Sequence, residues 1–488
     1  MVLFKKYDQK QQLLFPPSLD DFVPMDHVAR TIDSIVERLD LSCIISRYSE
    51  EGQPAYHPRL MLKVLFYAYS QGITSSRMIE DCLRRDAVFM FLAAMQKPDY
   101  RTVCLFRTKY LDCVVLLFRQ ILQVCMEMDM VGLVNVSIDG TKIKANASRK
   151  RSKDKDQIDR EIKRWMEAAE RVDDEEDDLY GDGSPFKLPR ELVDRRTREE
   201  KIDKALKRIR ELEDAGRKIE ESGVKTINLT DEDARLMKVG SQFKPGYNGQ
   251  LAVDSRCQVI VACDLTCDES DYGQLVPMVE QVEENLDELP CVISTDSGYA
   301  NYDNLEYLGG KDVFGLIPDK MLMVEEAGKN KYYSRSKFVY DASADRYACP
   351  TGKLLFRKTR KPVKDGGYVI VYHARELDCM SCPDRLKCTR SKRRTLCRNP
   401  REYLVEEMRQ RLKTPVGKVL YKLRKTTVEP VNGNIKYNKN FDMFRLRGKT
   451  KAKIEFVLMS IAHNIDKIHG VLNRLILLTA LPAGQKDT

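Results

Sequence analysis

The first 130 residues repeat apolar side chains every three or four positions, which is the period of an amphipathic helix. Three stretches carry this pattern: HPRLMLKVLFYAYSQGI, SSRMIEDCLRRDAVFMFLAAM and DYRTVCLFRTKYLDCVVLLFRQILQVCMEM. The breaks between them fall near Gly72 and Pro98, which are typical helix stops. The pattern predicts an all-helical N-terminal domain over residues 1–130, compatible with a helix-turn-helix module and equally with a plain helical bundle.

From Val134 the pattern changes to strands. VNVSI is the first, YNGQLAVDS and QVIVACDLT alternate like a hairpin, and CVISTD and VFGLIPD are short apolar runs that end at acids. Helical segments separate the later runs. Three consecutive strands followed by alternating helix and strand predict an α/β core with a mixed sheet, over residues 131–147 and 237–329.

Two segments interrupt this core. Residues 148–236 are highly charged and predict a helical hairpin, with one apolar stripe at Ile158, Ile162, Trp165, Ala169 and Val172 and a second at Ile202, Ala205, Ile209 and Leu212. A passive arm, a nucleic-acid contact and a subunit contact are all open for it. Residues 330–400 predict short strands around a cysteine cluster, and residues 401–488 complete the core.

Composition narrows the class of protein. The 488 residues contain no apolar run of about 18 residues, and the N-terminus MVLFKKYDQKQQ lacks the apolar segment of a secretion signal. A cytoplasmic protein without a membrane partner is expected. Most of the 14 cysteines, Cys43 and Cys113 among them, are expected to be reduced and to behave as small core hydrophobes.

Charge is distributed unevenly along the chain. The net charge is +9, and between Arg390 and Lys453 basic residues outnumber acids about four to one. A surface of that sign attracts phosphate-rich partners, unless the excess is only a solvated surface.

Two acids end apolar strands in the same way. Asp139 in VNVSIDGTKIK and Asp296 in CVISTDSGY each follow an apolar run and precede glycine or Ser-Gly. Sites form beyond strand ends in α/β sheets, and two carboxylates that meet there favour Mg²⁺ or Mn²⁺ between them. Either acid is also compatible with a simple cap or turn. Four further acids lie around the second and third strands, and only the sheet register can show whether one of them joins the site: Asp254, Asp264, Asp268 and Asp271.

A third acid is expected in the basic C-terminal stretch. Glu429 is nearly alone among lysines and arginines, and Lys436 lies two helical turns further on. Because proline breaks a helix interior, Pro430 predicts that a helix starts at this glutamate. A glutamate stabilised at a helix N-terminus is the alternative, and Glu406 and Glu407 are the competing acids.

The cysteine cluster has metal-ligand spacing. Cys349, Cys379, Cys382 and Cys388 can supply four thiolates to a structural Zn²⁺, which would hold together a segment too small for a large core. Reduced thiols without metal are the alternative.

Several ordered segments resemble the DDE transposases of bacterial insertion sequences, in the insertion-sequence-four-like branch and its eleven-eighty-two relatives. The resemblance covers nearly the whole chain. It is carried by LDDFVPMDHVARTIDSIVERLDLS, AYHPRLMLKVLFYAYSQGITSSRMIE, VSIDGTKIKANAS, KPGYNGQLAVD, TDSGYANYDNL and TVEPVNGNIKYNKNFDMFRLRGKTKAKIEFVLMSIAHNI.

The resemblance implies an RNase H-like catalytic domain in which Asp139, Asp296 and Glu429 hold two Mg²⁺ or Mn²⁺ ions. It implies cleavage and transfer of DNA strands at terminal inverted repeats. The branch's Tyr–Arg–Glu–Lys signature falls on Tyr421, Arg424, Glu429 and Lys436. The Arg-to-Glu spacing is one residue longer than usual, which leaves Arg424 and Lys425 as alternatives for the arginine's place.

The resemblance also implies partners. Double-stranded DNA, as element ends and as target, is expected at a helical N-terminal DNA-binding domain and at Lys142, Lys144, Arg445, Arg447 and Lys449. A homodimer in a synaptic complex and a bacterial, nucleoid-associated location follow. A nuclease of the same fold without strand transfer, and a DNA-binding protein with an inactive site, are the other hypotheses.

Overall fold

The computed structural model describes residues 18–49, 51, 54–180, 195–311, 313–363 and 367–480. Its N-terminal helices are α1 (Val28–Arg38), α2 (Ser42–Ile45), α3 (Pro58–Ser70), α4 (Ser76–Arg85), α5 (Ala87–Leu92), α6 (Tyr100–Lys109) and α7 (Leu111–Glu127). The later helices are α8 (Lys155–Tyr180), α9 (Arg195–Ser222), α10 (Leu275–Leu286), α11 (Tyr302–Gly309), α12 (Lys320–Glu326), α13 (Glu376–Met380), α14 (Arg385–Cys388), α15 (Glu402–Lys413), α16 (Pro415–Gly433) and α17 (Lys449–Ala480).

The strands follow the same chain order. They are β1 (Asn135–Lys144), β2 (Ser152–Lys153), β3 (Ile227–Asn228), β4 (Arg235–Val239), β5 (Gln242–Asp254), β6 (Ile260–Thr266), β7 (Val292–Thr295), β8 (Phe314–Leu316), β9 (Val339–Asp341), β10 (Arg346–Ala348), β11 (Leu354–Pro362), β12 (Tyr368–Ala374) and β13 (Thr395–Arg398).

The N-terminal helices are shorter than the apolar pattern predicts. Two of the three predicted runs are each split in two, at Asp86 and at Tyr110. Asp86 accepts the backbone N–H groups of Val88 and Phe89 at 2.8 and 3.3 Å, so it caps α5 and ends α4. The apolar period continues across such a break because both helices face the same core.

The central sheet is mixed, as predicted. Its order is β6-β5-β1-β7-β8, with β4 pairing the first residues of β5. β5 runs antiparallel to β1 and β6, whereas β7 runs parallel to β1 and β8 parallel to β7. β4 lies across the sequence boundary expected at residue 237.

One apolar cluster runs through the N-terminal helices, the central sheet and α17. α17 contacts α3, α7 and β6, and its fully buried Glu455 pairs with Arg107 of α6 at 3.2 Å. The N-terminal helices therefore share their core with the sheet.

The charged insertion forms the expected pair of helices. α8 packs on α9 around a small core of its own, formed by Ile158, Leu212, Ala215, Ile219 and Ile227. Trp165 packs against this core, and β2 pairs with β3 at its base. The side chains of Ala169, Val172 and Ile202, and residues 181–194, lie outside what the structure describes.

The cysteine-rich segment is a five-stranded antiparallel sheet in the order β13-β12-β11-β10-β9. It has a separate core of Phe338, Tyr347, Leu355, Tyr372, Ala374 and Leu396. Only a few large side chains are buried there, so this module has little apolar area to stabilise it alone.

The expectation that Cys43 and Cys113 are reduced is wrong in this structure. The two residues form a disulfide between α2 and α7, whose Cα atoms lie 5.8 Å apart. The packing of these helices brings the cysteines within the usual disulfide distance.

In the described ranges, no helix combines the length and the apolarity needed to cross a membrane.

Candidate active site

Asp139 and Asp296 lie side by side because of the sheet register. The last parallel pair of β1 and β7 is Ile138 with Thr295, and the two acids follow directly on neighbouring strands. The sequence predicted that the first strand ends at Asp139. Instead β1 continues to Lys144, because its pairing with β5 continues. Asp296 does leave its strand, and its carboxylate accepts Gly298 N–H at 2.7 Å.

Arg424 connects the third predicted acid to the first. From α16, its Nη2 donates to Asp139 Oδ1 at 2.9 Å and its Nη1 donates to Glu429 Oε1 at 3.1 Å. Lys425 is exposed and makes no such contact. The longer Arg-to-Glu spacing therefore keeps Arg424, rather than Lys425, beside both acids.

Pro430 lies inside α16, so the prediction that a helix starts there is wrong. A proline in a helix lacks the N–H that would bond the carbonyl four residues earlier. Here that carbonyl, of Thr426, accepts Gln258 Nε2 at 2.7 Å. After Gly433 the chain makes a π-helical turn, Asn434–Asn438, so Lys436 departs from regular α-helical spacing.

The two remaining signature residues also lie near the acids. Burial lowers the pKa of Lys436, while Asp139 opposes and Lys142 reinforces that shift. Burial also raises the pKa of Tyr421 to about 12; Arg424 counteracts this shift, and Asp296, Glu429 and Asp139 add to it. Both side chains thus lie within the electrostatic reach of Asp139.

Asp139 is held in an environment that opposes its charge. Burial raises its pKa to about 6; Arg424 counteracts the shift, whereas Asp296 and Asp271 add to it. Near neutral pH the ionised form is retained at a cost in free energy. A cation bound among these carboxylates would relieve that cost.

Sequence reasoning missed three polar residues at this site and did not distinguish a fourth, Asp271, from the acids near it. Asn432 Nδ2 donates to Asp139 Oδ2 at 3.0 Å, and Asn248 and Gln250 of β5 both donate to Asp271 at 2.7 Å. Asn248 and Gln250 lie two residues apart in the predicted strand YNGQLAVDS, so two amides on one face of the strand were an available signal. Asp271 carried none, because its loop holds several acids.

The competing acids have other partners or positions. Glu406 pairs with Arg398 at 2.5 and 2.9 Å, and Glu407 is exposed on α15. Asp264 pairs with Lys453 at 2.6 Å, and Asp254 caps the backbone of Gly132 and Leu133 at 3.1 Å each. None of these contacts links them to Asp139.

The basic residues expected to contact DNA surround the same end of β1. Lys142 pairs with Asp271 at 3.2 Å and Lys144 with Asp442 at 2.5 Å. The loop before α17 is attached nearby, since Asn146 donates to the Arg445 carbonyl at 2.8 Å and Arg447 Nε to the Asn146 carbonyl at 3.1 Å. Arg445, Arg447 and Lys449 expose their side chains there.

The donor set fits a hydrated divalent cation. Carboxylate oxygens are the ligands Mg²⁺ prefers, and the amide oxygens of Asn248 and Asn432 are buried without a hydrogen-bond partner in the described structure. Among the described residues, three carboxylates do not converge within 4.8 Å here. Arg424 stands between Asp139 and Glu429, which accounts for their separation.

The four predicted zinc ligands line one cavity of about 30 Å³. Backbone N–H groups point at two of the sulfurs, from Lys353 to Cys349 Sγ at 3.3 Å and from Arg394 to Cys379 Sγ at 3.4 Å. Burial raises the pKa of the Cys388 thiol, and the other three cysteines raise it further. Among the described residues, no three of these sulfurs lie within 4.8 Å of one another.

A second group of potential ligands does not suit a metal. Cys43, Asp112 and Cys113 bring ligand atoms within 4.8 Å of one another. The two sulfurs are joined as a disulfide and Asp112 pairs with Arg47 at 3.0 Å, so no thiolate is available.

Two family models match the chain. One described as a transposase DDE domain matches residues 348–469, which include Arg424, Glu429 and Lys436. One described as a transposase domain (DUF772) matches residues 17–109, the N-terminal helices. Searches of curated proteins and of solved structures found no significant match. The two matched transposase domains lie at opposite ends of one chain, and together they indicate a DDE transposase of insertion-sequence type.

Proposed function

We propose that this transposase binds the terminal inverted repeats of its element and catalyses metal-dependent DNA strand cleavage and strand transfer. The observation that carries the proposal is the link from Asp139 through Arg424 to Glu429, with Asp296 next to Asp139 in register. Arg424 thus connects acids from distant parts of the sequence beside the junction of β1 and β7.

The strand order supports an RNase H-like catalytic domain. Three antiparallel strands, β6-β5-β1, continue into the parallel pair β7-β8, and the acids lie where β1 meets β7. Ligands of α/β sheets bind beyond the carboxyl ends of parallel strands, and both acids directly follow the last parallel pair of β1 and β7.

Asp139, Asp296 and Glu429 would hold two Mg²⁺ or Mn²⁺ ions. The ions, when bound, would activate a water or a 3′-hydroxyl for in-line attack on a phosphodiester. Asp139 would be the central carboxylate of the three, because it follows β1 beside Asp296 and is linked through Arg424 to Glu429. Arg424 would then be released from part of its ion pairing and become available to a DNA phosphate.

The surrounding cations would hold the DNA backbone. Lys436 lies within the electrostatic reach of Asp139, and Tyr421 and Arg424 share α16 with Glu429. The exposed residues placed to contact phosphates further out are Lys425, Arg445, Arg447 and Lys449, and half-buried Lys144 lies beside them. Such contacts position DNA without reading its sequence, so base recognition is assigned to the N-terminal helices.

The decisive test is cleavage of linear DNA that carries the element's own end, in Mg²⁺, by wild type and Glu429→Gln. Glu407→Gln is the matched control, because Glu407 is an exposed acid on the preceding helix. We expect Glu429→Gln to bind the end and to cut it at least about 100-fold more slowly. Normal cutting by that variant would disprove the assignment of the third acid.

Strand transfer separates a transposase from a nuclease of the same fold. Joining of the cut end to a target plasmid is expected, and a stable two-end complex with two protein chains should precede it. Cleavage without any joined product would favour the nuclease. DNA binding without cutting in Mg²⁺ or Mn²⁺ would favour an inactive binding protein.

We also propose a structural Zn²⁺ at Cys349, Cys379, Cys382 and Cys388. The backbone N–H groups aimed at two of the sulfurs would stabilise thiolates, and a bound ion would offset the small core of this module. Metal analysis should find about one zinc per chain in wild type and in Cys397→Ser, an exposed cysteine in the same module. Cys379→Ser should lose it; an unchanged zinc content would exclude this site.

A further inference from the structure

Asp271 brings a fourth carboxylate to the acids of the active site. It lies between β6 and α10, and its Oδ1 accepts three hydrogen bonds, from Lys142 Nζ at 3.2 Å and from Asn248 Nδ2 and Gln250 Nε2 at 2.7 Å. A Cβ at Gly140, the residue after Asp139, would lie only 2.1 Å from this oxygen. Glycine at position 140 therefore allows Asp271 to approach the strand that carries Asp139.

The second oxygen of Asp271 faces Asp296. A Cβ built on Gly298 would lie 3.4 Å from Asp271 Oδ2 and 2.9 Å from Asp296 Oδ1. The two carboxylates thus border the same glycine. In the described structure, the hydrogen bonds to the Asp271 side chain all reach Oδ1, so Oδ2 is the atom turned toward Asp296.

Asn248 gives an independent indication that a ligand belongs here. Its side chain is completely buried, its Nδ2 is bound to Asp271, and its Oδ1 has no hydrogen-bond partner among the described residues. A buried acceptor without a donor is costly. A water molecule carried by a cation would donate to it.

The position of Asp271 is fixed by a chain of hydrogen bonds. Tyr299, three residues after Asp296, donates its phenol to Gln250 Oε1, which leaves Gln250 Nε2 to donate to Asp271. Burial raises the pKa of Tyr299 well above its usual value, and Asp271 adds to the shift, so the phenol keeps its proton. Outer contacts of this kind orient metal-binding carboxylates.

We propose that Asp271 is a fourth metal ligand of this site, binding through Oδ2 beside Asp296; this rests on the proposed function. If Asp271 served only to pair with Lys142, the lysine ammonium would be the one donor that its carboxylate required. Two buried amides and a tyrosine behind one of them instead hold the carboxylate in a single orientation, and that orientation presents the other oxygen to the acids.

The test compares Asp271→Asn with Asp268→Asn in the full-length protein. Asp268 is three residues earlier in the same loop and only accepts a bond from Gln274 at 2.8 Å. Titration calorimetry with Mn²⁺, in the absence of DNA, should show at least about tenfold weaker binding by Asp271→Asn. Cleavage of the element end in Mg²⁺ should fall about 100-fold, with end binding unchanged. Asp268→Asn should match wild type in all three measurements.

Unchanged Mn²⁺ affinity in Asp271→Asn would overturn the proposal even if cleavage fell, and an equal fall in Lys142→Ala would then assign Asp271 to positioning that lysine. If Asp271→Asn does not fold, Asp271→Glu keeps the charge but displaces the oxygens, and wild-type Mn²⁺ affinity in it would overturn the proposal as well. Wild-type protein that neither binds Mn²⁺ nor cuts would instead refute the proposed function.

Discussion

Two arginine–carboxylate clusters join distant parts of this chain, and they differ in how far their side chains are exposed. Arg107 and Glu455 are 2% and 0% exposed, and Glu455 also accepts the backbone N–H groups of Arg445 and Leu446 at 2.8 and 3.0 Å. Arg424, Asp139 and Glu429 are 12%, 17% and 47% exposed. The first cluster is closed, whereas the second is open to solvent and ligands.

The partners explain the difference. Arg107 donates to the Thr74 carbonyl at 2.7 Å, to Ser76 at 3.1 Å and to Tyr69 at 3.0 Å. The Nε of each arginine is buried without a partner in the described structure, but around Arg424 the amide oxygen of Asn432 is unpartnered as well. Enclosure of a buried pair by donors and acceptors of the protein suits a structural connection between helices. Unsatisfied oxygens beside carboxylates suit a site completed by ligands.

The largest effect on stability is expected at the closed cluster. Arg107→Met should lower the free energy of unfolding by about 3 to 5 kcal/mol, because it leaves Glu455 buried without its cation. Glu455→Gln in the same chain should recover part of this loss, since the amide oxygen still accepts the two backbone N–H groups. Urea denaturation of the two variants and wild type measures both changes. A loss below about 1 kcal/mol in Arg107→Met would contradict the comparison.

Removing a charge from the open cluster should raise the free energy of unfolding instead of lowering it. Its Asp139 has a pKa raised from 3.8 to about 6 in the folded chain, so ionising it destabilises the fold. The free-energy cost of ionising Asp139 is absent below pH 4, grows as the pH rises from about 4 to about 6, and is constant above that. Asp139→Asn should therefore increase the free energy of unfolding by about 2 kcal/mol at pH 7.5, in EDTA, and by almost nothing at pH 4.

The control for this measurement is Asp268→Asn, which removes an acid from a nearby loop and should show little pH-dependent difference. Mg²⁺ should stabilise wild type and not Asp139→Asn, since the ion needs the carboxylate. If Asp139→Asn were less stable than wild type at pH 7.5, the cluster would be a structural ion pair like Arg107–Glu455.

The sequence predicted the elements of the open site better than its contacts. Asp139 and Asp296 were found because apolar runs of definite length end at them, and parallel pairing then brings them level. The contacts of Asp271 with Asn248 and Gln250 depend on a register and a loop path that no pattern encodes. Arg107 and Glu455 are separated by most of the chain, and each looked like an ordinary helix residue.

Pro430 shows why a local rule failed. The rule that proline starts a helix assumes that the carbonyl four residues earlier has no other donor. Gln258, at a turn with φ 58°, supplies that donor from the β5–β6 connection. Tertiary contact thus permitted a helix that the sequence alone argued against.

The smallest effect on stability is expected at Gln258, whose hydrogen bond to α16 supports the open site. Gln258→Ala removes the bond to the Thr426 carbonyl and a second one, from Lys467 Nζ to Gln258 Oε1 at 2.6 Å. We expect a loss of about 1 kcal/mol in the free energy of unfolding. In a Pro430→Ala background the alanine N–H can bond Thr426, so the same substitution should cost about 0.5 kcal/mol less. Equal costs in both backgrounds would show that Gln258 does not compensate for the proline, and that the position of Glu429 depends on the Arg424 bridge instead.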